Sequence, residues 1–113
     1  MKMLDFNAIQ QPTWPIKLKD PSQTVVNLSY PTVELADRLA AMGSELGKVV
    51  KKKDGKTIKA TFDVVADVMS CNEDGFTFTA EELRDVYHMT LLDVVQFVSG
   101  YMDFLQEAGS AKN

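Results

Sequence analysis

The sequence predicts a mainly α fold: a small helical bundle of about four helices with an N-terminal β-hairpin. Three observations predict it. The stretch from Thr90 to Ala108 carries two adjacent apolar stripes at helical spacing, Leu91, Val95, Val98, Met102 and Leu105 beside Val94, Phe97, Tyr101, Phe104 and Ala108. Leu35, Leu39, Met42, Leu46 and Val49 recur at steps of four, three, four and three, which is the signature of an amphipathic helix. Ile16 and Leu18, then Val26, Leu28 and Tyr30, alternate with polar residues on either side of the turn Asp20-Pro21-Ser22-Gln23. At 113 residues the chain reads as a single domain, 1–113. Its parts are an N-terminal arm and hairpin over 1–31, a helical part over 32–108 and a frayed tail over 109–113.

Each element has its own justification. Residues 1–11 read as irregular or as a short edge strand, with Leu4, Phe6 and Ile9 tucking against the core. Pro12 and Pro15 flank Trp14 and disfavour helix there. A lone hairpin is marginal in water, so this one must lean on the helices or on another chain's strand. Thr32 is the expected N-cap of the first long helix. Ala36, Ala40, Gly43 and Gly47 form a small-residue stripe on it, suited to close approach of a neighbouring backbone, inside the domain in preference to a dimer contact. Asp54-Gly55 ends that helix. Thr57 opens the next one, with Ile58, Phe62, Val65, Ala66 and Met69 inward and Asp63 and Asp67 outward. Phe76-Thr77-Phe78 is an extended connector. Thr79 and Glu82 fit a capping box for a short helix carrying Leu83, Val86 and Tyr87. Thr90 caps the last helix, with Asp93 in its first turn.

That last helix is apolar over a band much wider than the roughly 100° an edge helix needs. It is therefore either the central helix of the bundle or a helix that also serves a partner. Trp14, Tyr30, Phe97, Tyr101 and Phe104 are the candidate partner-binding residues: they either complete the core or, where exposed, anchor an interface.

Composition narrows the function classes. No apolar run approaches the roughly 18 residues needed to cross a bilayer, and the first residues lack a secretory apolar run, so a cytoplasmic setting is expected. One cysteine, Cys71, excludes an internal disulfide and offers no metal cluster. The net charge of −4 hides a cluster of Lys48, Lys51, Lys52, Lys53, Lys56 and Lys59. A solvated loop explains it better than a nucleic-acid surface, since no arginine or aromatic residue is interleaved and the chain is acidic. A charged surface that orients an acidic partner is a further reading.

No catalytic arrangement emerges, and an enzyme is not expected. His88, the sole histidine, reads as a capping or surface residue, and Cys71 as a small apolar residue at a helix end. The aspartates lie at outward helix positions. KKKDGKT lacks the glycine spacing of a phosphate loop. Ser70 to Glu81 lines up with an EF-hand loop through Asn72, Asp74, Gly75 and Glu81, but Ser70 stands at the first ligand position and Phe78 at the ninth. A turn followed by a capping box accounts for the same letters, so neither metal nor cofactor is expected.

Four stretches carry a resemblance: PIKLKDPSQTVVNLSYPT, VELADRLAAM, FDVVADVMSCNEDGFTFTAEEL and DVVQFVSGYMDFL. In pattern they resemble the small tail assembly chaperones of long-tailed bacteriophages and prophages. The resemblance implies a non-enzymatic protein that binds the long helical tape-measure protein before tail-tube polymerisation and keeps it soluble. It also implies possible recruitment of tube subunits, and a longer form made by ribosomal frameshifting is common in that family. Self-association is a further expectation, membrane binding is not. The alternatives are a small nucleic-acid-binding regulator using Lys48–Lys59 and a structural tail or connector subunit.

Overall fold

The computed structural model describes residues 2–6, 11–52 and 55–110, and leaves undescribed the side chains of 44–52 and 109–110. Two antiparallel strands, β1 (Thr13–Lys17) and β2 (Val25–Ser29), precede four helices: α1 (Val33–Lys52), α2 (Gly55–Met69), α3 (Ala80–Asp85) and α4 (Leu91–Ser110). The expected mainly helical bundle with an N-terminal hairpin is the observed fold.

The hairpin register pairs Trp14 with Leu28 and Ile16 with Val26. Period-two alternation turns Trp14, Ile16, Leu18, Val26 and Leu28 to the helices, and Val26 and Leu28 are wholly buried. The turn forms as the sequence implies. Gln23 donates its N–H to the Asp20 carbonyl at 3.0 Å, and the Asp20 carboxylate accepts from the Thr24 N–H and hydroxyl at 2.8 and 2.6 Å. Those bonds, the Thr24 hydroxyl first, hold Asp20 below the usual carboxylate pKa.

The outer edge of β2 is covered by the loop after α2. Ser29 donates to the Cys71 carbonyl at 2.9 Å, Glu73 donates to the Asn27 carbonyl at 3.0 Å, and the Asn27 N–H donates to the Asp74 carboxylate at 2.7 Å. The hairpin thus leans on this chain's own loop and helices. Because antiparallel backbone groups alternate in direction, Thr13, Pro15 and Lys17, paired with Ser29, Asn27 and Val25, point theirs out along the opposite edge, where Pro15 has no N–H to offer.

Thr32 caps α1, accepting from the Leu35 N–H at 3.2 Å. Leu39 is wholly buried on its inner face; Leu46, Val49 and Gly47 fall among the undescribed side chains. Of the small-residue stripe, Ala40 is exposed and Gly43 faces Val98 of α4. Helix α2 begins at Gly55, two residues before Thr57, and buries Phe62, Val65, Ala66, Val68 and Met69. The Thr79–Glu82 capping box is complete in both directions. Helix α3 stops at Asp85, so Val86 and Tyr87 lie beyond it and Val86 is exposed. Its end is drawn in by Met89, whose N–H reaches the Leu83 carbonyl at 2.9 Å while His88 takes a φ of 51°.

The arm departs from expectation. Leu4 and Phe6 do not tuck against the core but are exposed. Ile9 lies outside the described residues. Gly109 and Ser110, expected to fray, continue α4; the rest of the tail is outside the description.

Candidate functional site

Helix α4 occupies the position its sequence demands. At about 100° per residue its two stripes together span roughly half the circumference. The second stripe is enclosed: Val94 and Tyr101 are wholly buried, and Phe97 and Phe104 nearly so. The hairpin makes that enclosure. Trp14 lies 5.6 Å from Phe97, 5.8 Å from Tyr101 and 6.2 Å from Phe104, ring centroid to centroid. Tyr30 meets Phe104 edge-on at 6.2 Å. Such stacked, tilted and edge-on pairs add roughly 0.5–1.5 kcal/mol each beyond area burial. Burial pushes the Tyr101 phenol well above its usual pKa, with the nearby Cys71 and Tyr30 adding to the effect.

The five candidate partner-binding aromatics are therefore brought together, but as the joint between hairpin and helix. Tyr101 and Phe104 offer no surface to a partner. Trp14 is half-buried, Phe97 reaches a cleft described below, and Tyr30 shows its outer side to solvent. The exposed apolar groups on α4 come instead from the first stripe. Val98 of that stripe is buried facing Gly43 of α1, Leu91, Val95 and Leu105 are half-buried and Met102 is 39% exposed, with Leu92 outside the stripe at 65%.

On the other side of α4 a cleft of about 260 Å³ opens between β1 and the α3–α4 turn. Its floor is Trp14, Ile16, Leu18, Met69 and Phe97, with Tyr87 and Met89 along one wall. Lys17, Lys19, Asp93 and Gln96 stand at the rim. Lys19 is tied to the Asp93 carboxylate and donates to the His88 carbonyl at 3.3 Å. Asp93 also accepts from the Thr90 N–H at 2.7 Å and hydroxyl at 3.0 Å. Partial desolvation raises the Asp93 pKa, but the bonds from Lys19 and Thr90 outweigh it and the net shift is downward. The period-two pattern of β1 could have pointed to this floor; Met89 and Gln96 carry no signal in the sequence.

The EF-hand-like loop is held by its own side chains. The Ser70 hydroxyl accepts from the Phe78 N–H at 2.8 Å and donates to the Ala66 carbonyl at 2.8 Å. Asn72 Oδ1 accepts from the N–H groups of Asp74 and Phe76, and its Nδ2 donates to the carbonyls of Met69 and Phe76. Asp74 is taken by Asn27. Ser70, Asn72 and Asp74, three of the four residues aligned with calcium ligands, are thus engaged in fixing the loop against β2. Among the described residues no three His, Cys, Asp or Glu side chains converge on a possible ion site.

Cys71 is half-buried and His88 exposed, on separate turns. Of the lysine cluster, Lys59 is exposed, while the side chains of Lys48 and Lys51–Lys53 lie outside the description. Among the described residues no helix is long and apolar enough to cross a membrane. No known protein family, characterised protein or solved structure matches this chain.

Proposed function

We propose that this chain is a tail assembly chaperone-like protein of a bacteriophage or prophage, which binds the tape-measure protein and keeps it soluble during tail morphogenesis in the bacterial cytoplasm. It works by holding, without catalysis or cofactor, and tail-tube subunits are its further candidate partners. The observation that carries this reading is the division of labour on α4. The aromatic stripe closes the core; of the first stripe, Val98 is buried facing α1 and Leu91, Val95 and Leu105 are half-buried, while Met102, with Leu92 on the same exposed side, keeps apolar surface in reserve. A long client helix that exposes its own apolar face would be met along such a stripe, helix face to helix face. The sequence resemblance supplies the identity of the client.

Co-expression with a tape-measure fragment tests it. The fragment, insoluble alone, is expected in the soluble fraction with the wild-type chain and not with Met102→Asp, a substitution at a surface position. A folded wild-type chain that leaves the fragment insoluble would overturn the reading.

A further inference from the structure

Strand β1 has a strand neighbour on one edge only, whereas β2 is flanked on both sides, by β1 and by the loop after α2. Leu18 donates to the Thr24 carbonyl at 2.9 Å, which fixes the phase of the ladder. Trp14 and Ile16 turn their backbone groups to β2, and Thr13, Pro15 and Lys17 turn theirs outward. Among the described residues nothing pairs with Thr13 or Lys17 on that side. The cleft lies along the same open edge. Ile16 and Lys17 line one side of it, Gln96 and Phe97 of α4 the other, and no residue of β2 contributes. At about 260 Å³ it falls below the roughly 300–1,000 Å³ of sites that enclose drug-sized ligands, and suits one or two apolar side chains. A row of unpaired backbone groups thus runs beside an apolar trough. An extended backbone is the partner that offers donors and acceptors at the spacing of such a row.

We propose that this groove takes an extended segment of a partner polypeptide, which adds to the open edge of β1 as a third strand and lowers alternate apolar side chains into the cleft. Residues opposite each other on neighbouring strands face the same side of a sheet. Partner residues opposite Trp14 and Ile16 therefore face Met89 and Phe97, and the residue opposite Lys17 stands at the rim. Lys19 is held by Asp93 while Lys17 is exposed, so the rim is left with one unmatched positive charge. The segment that fits is apolar at two positions separated by one residue, with an acidic residue just outside them. Pro15 argues for a foreign strand over a second copy. Two β1 edges paired antiparallel at full overlap set Pro15 against Pro15 and lose the central bonds, and any shift of register shortens the pairing of a five-residue strand. A different segment can donate to the Pro15 carbonyl. Met102, on which the client reading rests, faces away from the cleft at helical spacing, so the two proposals stand or fall separately.

The probe is a short capped peptide that alternates valine with threonine and carries one glutamate beside its first valine. A second version is N-methylated at the amides on its pairing edge. Amide hydrogen exchange of the full chain is followed by NMR, and the emission of Trp14, the only tryptophan, reports the cleft. Saturable binding is expected, with exchange at Thr13 and Lys17 slowing at least about tenfold and Trp14 emission moving to the blue. The N-methylated peptide should slow neither amide. Thr13→Pro removes an outward N–H that the β1–β2 ladder does not use, and should weaken binding about two- to tenfold. Lys17→Glu should weaken binding several-fold, and less when glutamine replaces the glutamate of the peptide. A peptide that leaves both amides and Trp14 unmoved overturns the proposal. Binding that survives N-methylation also overturns it, since side chains alone would then hold the peptide. So do Thr13 and Lys17 amides that exchange slowly without peptide: the edge then belongs to this chain itself, or to a second copy if the slowing grows with protein concentration.

Discussion

Trp14 lies over the backbone of Gly100: a Cβ built on that glycine would stand 2.9 Å from Trp14 Cζ2 and 3.0 Å from Cη2. The hairpin can dock on α4 because one residue of the helix has no side chain. Gly100→Ala therefore sets two effects against each other. Helix propensity gains up to about 1 kcal/mol. Overpacking costs about 1–3 kcal/mol, because the indole is packed on Phe97, Tyr101 and Phe104 and must shift off them to make room. A net loss of about 1 kcal/mol or more is expected in chemical denaturation, with altered Trp14 emission.

Gly43→Ala should do the reverse. A Cβ there meets Val98 Cγ1 at 4.0 Å, an ordinary van der Waals distance. The methyl adds contact without strain and α1 loses a flexible residue, so a gain of about 0.5–1 kcal/mol is expected. A loss in the same denaturation assay would mean that α1 and α4 approach more closely than described.

The contrast between these glycines marks what could be read in advance. Periodicity placed the elements well, because helical and alternating patterns report burial directly: Leu39, Phe62, Val65 and Val94 were legible. So were the caps at Thr32, Thr79 and Thr90, whose partners lie within three residues. What stayed hidden depends on distant pairs. Gly100 reads as a poor helix residue until Trp14, 86 positions earlier, is seen above it. The aromatic residues of α4 suggested a partner surface because their cover comes from a hairpin at the other end of the chain. Lys19 and Asp93 form the cleft rim across a separation of 74 residues, which no local pattern announces.

Asn72 fastens the loop that covers β2. Asn72→Ala removes both donors and the acceptor that hold Met69, Asp74 and Phe76, and a loss of about 2 kcal/mol is expected. Asn72→Asp keeps the acceptor for the Asp74 and Phe76 N–H groups but sets a carboxylate oxygen against two carbonyls, so it should rescue only in part. Full recovery by aspartate in thermal melts would contradict the bonding described.

Asp93 joins hairpin to helix through Lys19 and caps α4 through Thr90. Its folded pKa lies below the ordinary value, so its contribution is present above about pH 3.9 and is lost as pH falls through the lower folded value. Asp93→Asn should destabilise the chain by about 1 kcal/mol at neutral pH, and the difference from wild type should vanish in strongly acid solution. Denaturant titrations at the two pH values measure it; a constant difference would remove the charge from the account.

Tyr101 gives the alkaline counterpart. Burial raises its folded pKa above that of a free phenol, so the fold favours the protonated ring. The stability tied to it is complete below about pH 10 and declines as pH rises beyond that, because the unfolded chain then releases a proton that the folded one keeps. The hydroxyl itself contributes little, since its bond to the Ser29 carbonyl is 3.4 Å long. Tyr101→Phe keeps the ring against Trp14 and Phe104 and removes the ionising group. It should therefore cost about 0.5–1 kcal/mol at pH 7 and melt with a shallower fall between about pH 9 and 11. Parallel alkaline limbs for the two proteins would show that the phenol ionises without unfolding the joint between hairpin and helix.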